Sequence, residues 1–308
     1  MFGIVHKLWG RHKRQRRIEV IMTDIQKIID DIYKLYIYAY PLIVLDLHTK
    51  ALTNTEIPTT EKAPLNQYLH GADVAKAHNR EIVHPNIDTV YSKAHMNLKN
   101  SPLYIYKPAA DRYVAAEIID AYGNCIANLG SGEIGGNGEV KAVLIGPDYH
   151  GEIPGELIRI DVPTNACWTL TRILKNGNDE EQIKKIQQGF DIRPIAEYKN
   201  ESYVPPKGKY NPEYDFIPYD KLEEINIEEF FSIFNEMIGD NMGRNPDNEL
   251  LAIGRKYGIG TGLEFHSDVF EPKIQEAFKD FYKMSVEDFG KDLGVQEKTG
   301  NLKSRNMT

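Results

Sequence analysis

The chain has 308 residues, 41% of them hydrophobic, and a formal net charge of −8. That hydrophobic content can fill a sizeable core, which excludes a wholly disordered protein. The acidic balance argues against nucleic acid as the main partner, because surfaces that bind nucleic acid are basic. The longest apolar run, Tyr36 to Leu47, is interrupted by Pro41 and Asp46 and is too short for a bilayer, so we expect no transmembrane segment.

The first 22 residues differ from the rest of the chain in charge. They carry six Lys or Arg side chains against Glu19. The basic cluster follows a mildly apolar stretch, which is the reverse of a secretory signal, so a cytoplasmic location is favoured. A basic membrane-surface segment and translation starting at Met22 are alternatives. We expect residues 1–22 to be a disordered leader.

A long amphipathic helix is predicted over residues 23–56. Thr23 and Gln26 form a capping-box pattern, and apolar residues then recur at helical spacing as far as about Leu52. Pro41 removes one helical hydrogen bond and should kink or split this helix. Because one face is apolar, the helix is expected to pack on the following domain.

Residues 57–198 have β character. The predicted strands are Thr89–Leu98, Leu103–Lys107, Arg112–Asp120, Asn124–Leu129, Glu139–Ile145, Leu157–Val162 and Ala166–Leu174. Short connections between short strands favour an antiparallel β-sandwich over a parallel sheet. A helix is predicted at about residues 178–190, with Ile183, Ile186 and Phe190 facing inward.

The C-terminal part returns to helical patterns. Residues 199–220 are rich in proline and predict a linker or extended arm. Residues 221–295 predict helices beginning near Asn226, Asp247, Pro272 and Ser285, and residues 296–308 predict a frayed tail. The fold class is therefore α+β, with an N-terminal helix, an antiparallel sandwich and a C-terminal helical segment.

Several stretches resemble the domain-of-unknown-function 1254 family. They are Tyr38–Leu42, Asn66–Tyr68 with His70, His84–Ser92, Pro163–Asn165 with Trp168 and Arg172, and Gln188–Phe190. The resemblance implies a jelly-roll-like sandwich preceded by a helix and followed by helices. It also implies a second sandwich, the domain of unknown function 1214, which we expect to be absent from this chain and supplied by a partner if present.

The stretch from Val83 to Ser92 leads into the strand with most chemical groups. On a regular strand Tyr91, Lys93 and His95 point to one face, so they are the candidate acid, base or binding groups. Arg172 should share the apolar face of its strand with Trp168, where a charge needs a partner or a cavity rim.

Asp88 and Asp120 are the natural carboxylate partners of Arg172. A pocket for a small polar or anionic ligand would then combine Arg172 with the remaining polar and aromatic candidates, Asn86, Asp88, Asp120, Asn165 and Trp168. The alternative is a structural ion pair that anchors the turn before Tyr91 to the sheet.

Neither a metal site nor a cofactor is predicted. The histidines do not follow a metal-ligand spacing. A Ser/His pair for nucleophilic catalysis is not predicted either, because Ser92 and His95 should point to opposite faces of one strand.

Our first hypothesis is a sandwich module that binds a small polar or anionic ligand, self-assembles into a homo-oligomer, or both. The alternatives are a hydrolase or lyase with a Tyr/Lys/His/Arg pocket, and a structural shell protein.

Overall fold

The computed structural model describes residues 2–74 and 86–292, with side chains described for residues 23–74 and 86–290. Val83, His84 and Pro85, which begin the predicted turn, lie outside this range. The helices are α1 (Phe2–Leu52), α2 (Glu180–Gly189), α3 (Pro218–Glu224), α4 (Ile227–Ile238), α5 (Asn248–Gly254), α6 (Pro272–Phe278) and α7 (Phe281–Asp292). None of these described helices is long and apolar enough to cross a membrane.

Ten strands are described. They are β1 (Leu69–His70), β2 (Thr89–Asn97), β3 (Leu103–Lys107), β4 (Val114–Asp120), β5 (Cys125–Gly130), β6 (Ile134–Gly135), β7 (Val140–Ile145), β8 (Ile158–Asp161), β9 (Ala166–Leu174) and β10 (Asp191–Pro194). The seven predicted strands are all confirmed, and the short strands β1, β6 and β10 were not predicted. The α+β class is likewise confirmed.

Residue contacts divide the chain into two compact units. Of the described residues, the first unit comprises 2–40, 223–236 and 247–292, and the second comprises 41–222 and 237–246. The limit between Tyr40 and Pro41 falls within α1, which remains one helix with Pro41 inside it. The domain boundaries that the sequence predicted, at residues 22, 56, 198, 220 and 295, stay predictions.

The first unit is helical and has an aromatic core. The rings of Tyr36 and Phe230 stack with centroids 4.0 Å apart, and Phe281 packs edge-on against Tyr36. The predicted helix starts at Asn226 and Asp247 are confirmed, since the side chain of each accepts a backbone N–H three residues later. Pro272 begins α6 as predicted. The predicted start at Ser285 is wrong, because Ser285 lies inside α7.

The predicted cap at Thr23 is wrong. A capping box acts only where a helix starts, and α1 already begins at Phe2, so Thr23 lies inside it. The Lys, Arg and Gln residues before Thr23 are good helix formers, so their propensity supports the longer helix.

The second unit contains two mixed β-sheets. One has the strand order β1-β2-β9-β4-β5-β6, and the other β10-β3-β7-β8. The expectation of purely antiparallel sheets is wrong at two places, since β5 and β6 are parallel and so are β7 and β8. Twelve residues connect β7 to β8, enough for the chain to return and run in the same direction.

The facing sides of the two sheets share one hydrophobic core. Val90, Met96 and Ile173 come from the first sheet, and Ile105 and Leu144 from the second. Helix α2 adds Ile183 and Ile186 to this core, which confirms the predicted inward face of that helix. Alternating side chains therefore leave the other side of each sheet for half-exposed groups.

A buried lysine fixes the glycine-rich connection between β5 and β7. Lys107 is 0% exposed, and its Nζ donates to the carbonyl oxygens of Gly136 (3.2 Å) and Gly138 (2.8 Å). Burial lowers the pKa of Lys107. Because these carbonyl oxygens point at a cation, this part of the connection has the wrong polarity to hold a phosphate.

We predict that Lys107→Met destabilises the protein by about 1–3 kcal/mol, because the carbonyl oxygens of Gly136 and Gly138 lose their buried donor while the apolar stem is kept. Urea unfolding measures the change. The control is Lys141→Met on the same sheet, whose exposed ion pair with Glu139 should contribute under about 1 kcal/mol. Equal effects of the two substitutions would contradict the role of Lys107 as the buried donor to Gly136 and Gly138.

Candidate functional site

The outer face of the first sheet brings together part of the predicted site. Strands β2 and β9 are antiparallel, with Tyr91 opposite Arg172, Lys93 opposite Leu170, and His95 opposite Trp168. These three rows lie on one face, since alternate residues of a strand point the same way. The prediction that Arg172 and Trp168 share a face agrees with this register. That face is half-exposed and is not the side that enters the core between the sheets.

Arg172 is the centre of this face. Its Nη1 lies 2.8 Å from the Glu117 Oε1 on β4, and the two side chains are 28% and 29% exposed. The guanidinium carbon lies 5.9 Å from the ring centroid of Tyr91, within reach of a cation–π interaction. The expectation that Asp88 or Asp120 pairs with Arg172 is therefore wrong, because the neighbouring strand β4 supplies a closer carboxylate.

His95 lies at the covered end of the same face. It is 6% exposed, and its Nδ1 is hydrogen-bonded to the Oγ1 of Thr49 on α1 at 2.8 Å. Its ring stacks on Trp168 with centroids 6.3 Å apart. Burial, together with the nearby His48 and Lys93, lowers the pKa of His95 to about 3. His95 is therefore neutral at physiological pH, whereas Tyr91 and Lys93 lie on the half-exposed part of the face.

Three other predicted site residues lie in a turn or at a strand end, since Asp120 is the last residue of β4. The Asn86 Oδ1 accepts the backbone N–H groups of Asp88 (2.7 Å) and Thr89 (3.2 Å), as expected for a turn that leads into a strand. The side chain of Asp88 is exposed. Asp120 is buried, and its Oδ1 accepts the backbone N–H groups of Tyr122 and Asn124, both at 2.9 Å. These bonds hold the connection between β4 and β5.

Asn165 is also held by its surroundings. Its Nδ2 donates to the Asp148 Oδ2 at 2.9 Å, and its backbone carbonyl accepts the N–H of Leu98. A Cβ atom on Gly146 would come within 2.3 Å of the Asn165 Oδ1, so this close approach requires glycine there. Asn165 thus ties two connections together at the start of β9.

The inner face of β2 and β9 carries a second polar group of side chains, which the sequence analysis did not select. Ser92, Thr169 and Thr171 are fully buried there, and Tyr68 is buried beside them. The Tyr68 hydroxyl lies beside the hydroxyl groups of Thr169 and Thr171, which act on its pKa in the direction opposite to burial. Burial raises the pKa of Tyr68, so its phenol stays protonated.

Ser92 has the contacts of a core residue and not those of a catalytic nucleophile. Its Oγ lies 2.8 Å from the Nδ1 of His70, and the Nε2 of Gln187 donates to it at 3.4 Å. A hydroxyl beside an imidazole is the pairing that nucleophilic catalysis uses, but Ser92 is 0% exposed between the two sheets. Burial lowers the pKa of His70 to about 4, so this pair is neutral at pH 7.

The sequence analysis missed the polar residues of the inner face and Glu117 for simple reasons. On β9 the larger apolar side chains, Trp168 and Leu170, suggested that their face was the core, whereas Thr169 and Thr171 fill it. The one available signal was the stretch Asn66–His70, which contains Tyr68 and His70. It was noted for its resemblance, and His70 was weighed only as a metal ligand. Glu117 gave no signal, because its proximity to Arg172 depends on β4 lying beside β9.

The described side chains offer no metal centre. Among them, no group of three or more His, Cys, Asp or Glu residues is arranged to hold a metal ion. The chemistry that the outer face offers is that of binding: one guanidinium, one ammonium and one carboxylate beside a phenol and an indole.

Comparison with known proteins supports the resemblance over part of the chain. Residues 65–194 match the family model described as "Protein of unknown function (DUF1254)", which confirms the predicted resemblance for that segment. No curated protein matches the chain.

A solved structure is similar to most of the chain. The crystal structure of the VPA0106 protein from Vibrio parahaemolyticus matches with a TM-score of 0.61 and 18% sequence identity. The match covers 87% of this chain and 60% of that protein, so this chain spans less than two thirds of its length. At this identity the likeness shows a shared fold and nothing about activity.

We predict that His95 makes stability depend on pH. The folded pKa of His95 is about 3 and the unfolded value is about 6.5, so between these values only the unfolded chain binds the proton, and stability decreases as the pH is lowered. When the pH is lowered from 6.5 to 5, the free energy of unfolding of the native protein should decrease by about 1.5 kcal/mol more than that of His95→Asn, as measured by urea unfolding.

The control for this experiment is His150→Gln, which changes an exposed histidine in the same unit. This variant should keep the pH dependence of the native protein. The buried environment assigned to His95 is wrong if the His95→Asn protein loses as much stability as the native protein over that range.

Proposed function

We propose that the second unit binds a small anionic ligand on the outer face of its first sheet, at Tyr91, Lys93 and Arg172. The observation that carries this proposal is the charge of that face. Two cations, Lys93 and Arg172, lie on that face, where Arg172 pairs with the carboxylate of Glu117, in a chain whose net charge is −8. A local excess of positive charge in an acidic protein attracts an anion.

The geometry around Arg172 supports the same proposal. Its guanidinium is held by Glu117 on one side and by the ring of Tyr91 on the other, so its orientation is set before a ligand arrives. A guanidinium can bind a carboxylate or phosphate through two parallel N–H···O bonds. Trp168 and Tyr91 would supply apolar contact for the body of the ligand. The other predicted pocket residues, Asn86, Asp88, Asp120 and Asn165, would then act by positioning the strand ends.

We also propose that the two sheets form a jelly-roll-like β-sandwich. In support, the late strand β9 lies between the early strands β2 and β4, and the chain crosses between the sheets before and after β3. Such crossovers are typical of Greek-key and jelly-roll sheets. An experimental structure of the full chain would test this topology.

The enzyme hypothesis has weaker support. A hydrolase or lyase would use His95 as an acid or base, but His95 is buried under α1 with a pKa of about 3. General acid–base catalysis is most efficient when the pKa lies near the working pH. The charges of this face therefore favour binding over catalysis.

We predict that small carboxylates or phosphates raise the thermal midpoint of the full chain, whereas the neutral diamide succinamide does not. The probes are citrate, succinate and inorganic phosphate, with succinamide as the uncharged control. A ligand at one hundred times its Kd stabilises the native state by about 2.7 kcal/mol. Arg172→Gln should weaken binding by at least about tenfold in titration calorimetry, because one charged hydrogen-bonding group contributes about 1.5–3 kcal/mol.

Arg159→Gln is the matched control, since Arg159 pairs with Asp161 on the exposed edge strand β8 of the other sheet. It should leave the affinity unchanged. Arg172→Lys separates charge from geometry, because lysine keeps the charge but not the fork of N–H donors. The proposal fails if none of the anions stabilises the protein, or if Arg159→Gln weakens binding as much as Arg172→Gln.

We propose self-association through the segment 199–220 as a second function, supported by its exposed apolar side chains. Val204 is 80% exposed, and Tyr210, Ile217 and Tyr219 are also exposed. The segment is tied to its own unit by hydrogen bonds, including a reciprocal pair between Asn54 and Asn211. Exposed apolar side chains on a segment that hydrogen bonds keep in place are a feature of protein–protein contacts.

We predict that sedimentation velocity shows a dimer or larger assembly of the native chain, and that the double variant Val204→Ser/Ile217→Ser is monomeric. The apolar contact is lost, whereas the hydrogen bonds of the segment are kept. Val269→Ser, at an exposed position of the first unit, should leave the assembly intact. A native chain that sediments as a monomer contradicts self-association.

A further inference from the structure

A groove on the outer face of the second sheet is separate from the anion-binding face proposed above. It encloses about 610 Å³ and is lined by β3, β7, β10 and the chain that follows β10. All of its lining residues belong to the second unit. None of them was selected in the sequence analysis, and none belongs to the outer face of the first sheet.

Tyrosine side chains form the floor of this groove. Tyr104 and Tyr106 are two residues apart on β3, so both rings point to the same side. Tyr104 and Tyr198 pack with ring centroids 6.0 Å apart. Burial raises the pKa of Tyr104 to about 12, so its phenol is neutral at physiological pH. The floor therefore combines flat apolar rings with neutral hydroxyl groups.

The charges around this floor cancel. Three cations and three carboxylates line the groove: Lys141, Arg193 and Lys199 with Glu139, Asp191 and Glu201. Neighbours are already paired, since the Lys141 Nζ lies 2.8 Å from the Glu139 Oε1 and the Arg193 Nε lies 2.5 Å from the Asp191 Oδ2. The lining therefore carries no net charge, and an anion would have to compete with Glu139, Asp191 or Glu156 for the cations of the groove.

The strand register explains why these groups meet. Tyr106 lies opposite Asp191 on one side and Lys141 on the other, and Tyr104 lies opposite Arg193. Each ring is thus flanked by planar or flexible charged groups that can still accept or donate further hydrogen bonds. The Tyr106 hydroxyl also donates to the Glu139 Oε2 at 3.0 Å, which orients its ring.

We propose that this groove binds a neutral saccharide. The C–H face of a pyranose ring packs on a phenol ring, and its hydroxyl groups both donate and accept hydrogen bonds. Paired carboxylates and ammonium or guanidinium groups satisfy such hydroxyls without favouring a net charge.

The test is a glycan array probed with the full chain, carrying neutral, uronic-acid and sulfated oligosaccharides. The neutral glycan that binds best is then titrated against variants by calorimetry. Tyr106→Ala should weaken its binding by at least about tenfold because a stacking ring is lost. Tyr106→Phe keeps the ring and should retain affinity to within about threefold, and urea unfolding of Tyr106→Ala checks that this variant is folded.

Tyr91→Ala, on the outer face of the first sheet, should leave saccharide binding unchanged. This variant distinguishes the groove from the proposed anion site, and Arg172→Gln serves the same purpose. Binding of no neutral glycan, binding of acidic glycans alone, or an equal loss with Tyr91→Ala and Tyr106→Ala would each overturn the proposal. Failure of the anion titrations would leave this result unaffected.

Discussion

The pairing of β9 with β2 is the constraint on which the second unit depends. Nine residues of each strand are in register, and β9 also pairs with β4 on its other side. Side chains alternate, so this one register places Tyr91 and Arg172 outside and Ser92 and Thr171 inside. The proposed anion site and the polar part of the core are therefore two faces of the same ladder.

Arg172 gives this register much of its specificity. A shift of β9 by one residue would turn Arg172 into the hydrophobic core and bring Thr171 out. Burying an unpaired guanidinium costs several kcal/mol, far more than burying a threonine hydroxyl. In the observed register Arg172 meets Glu117 and remains partly hydrated. The ion pair thus contributes to the choice of register even where its net stabilisation is small.

Much of this fold could be predicted from the sequence, because its elements have strong local signals. The alternation of apolar and polar residues predicted the long strands, and capping residues predicted the helix starts at Asn226 and Asp247. Long-range pairing has no such signal. Glu117 and Arg172 are 55 residues apart, and only the placement of β4 beside β9 brings them together. The face of β9 was also misjudged, because Thr169 and Thr171 fill a core position much as valine does.

The candidate site residues that lie within predicted strands could be predicted from the sequence, and those at strand ends could not. Tyr91 and Arg172 were selected for their chemistry and do meet across the ladder, whereas Asp120 and Asn165 were selected for the same reason and hold turns. A polar side chain at a strand end can accept hydrogen bonds from backbone N–H groups of the adjoining turn, whereas within a strand those groups are already bonded in the sheet. The position of a polar residue along its strand therefore indicates whether it holds a turn or is available to a ligand. By that criterion Tyr104 and Tyr106, both within β3, are not placed to close a turn.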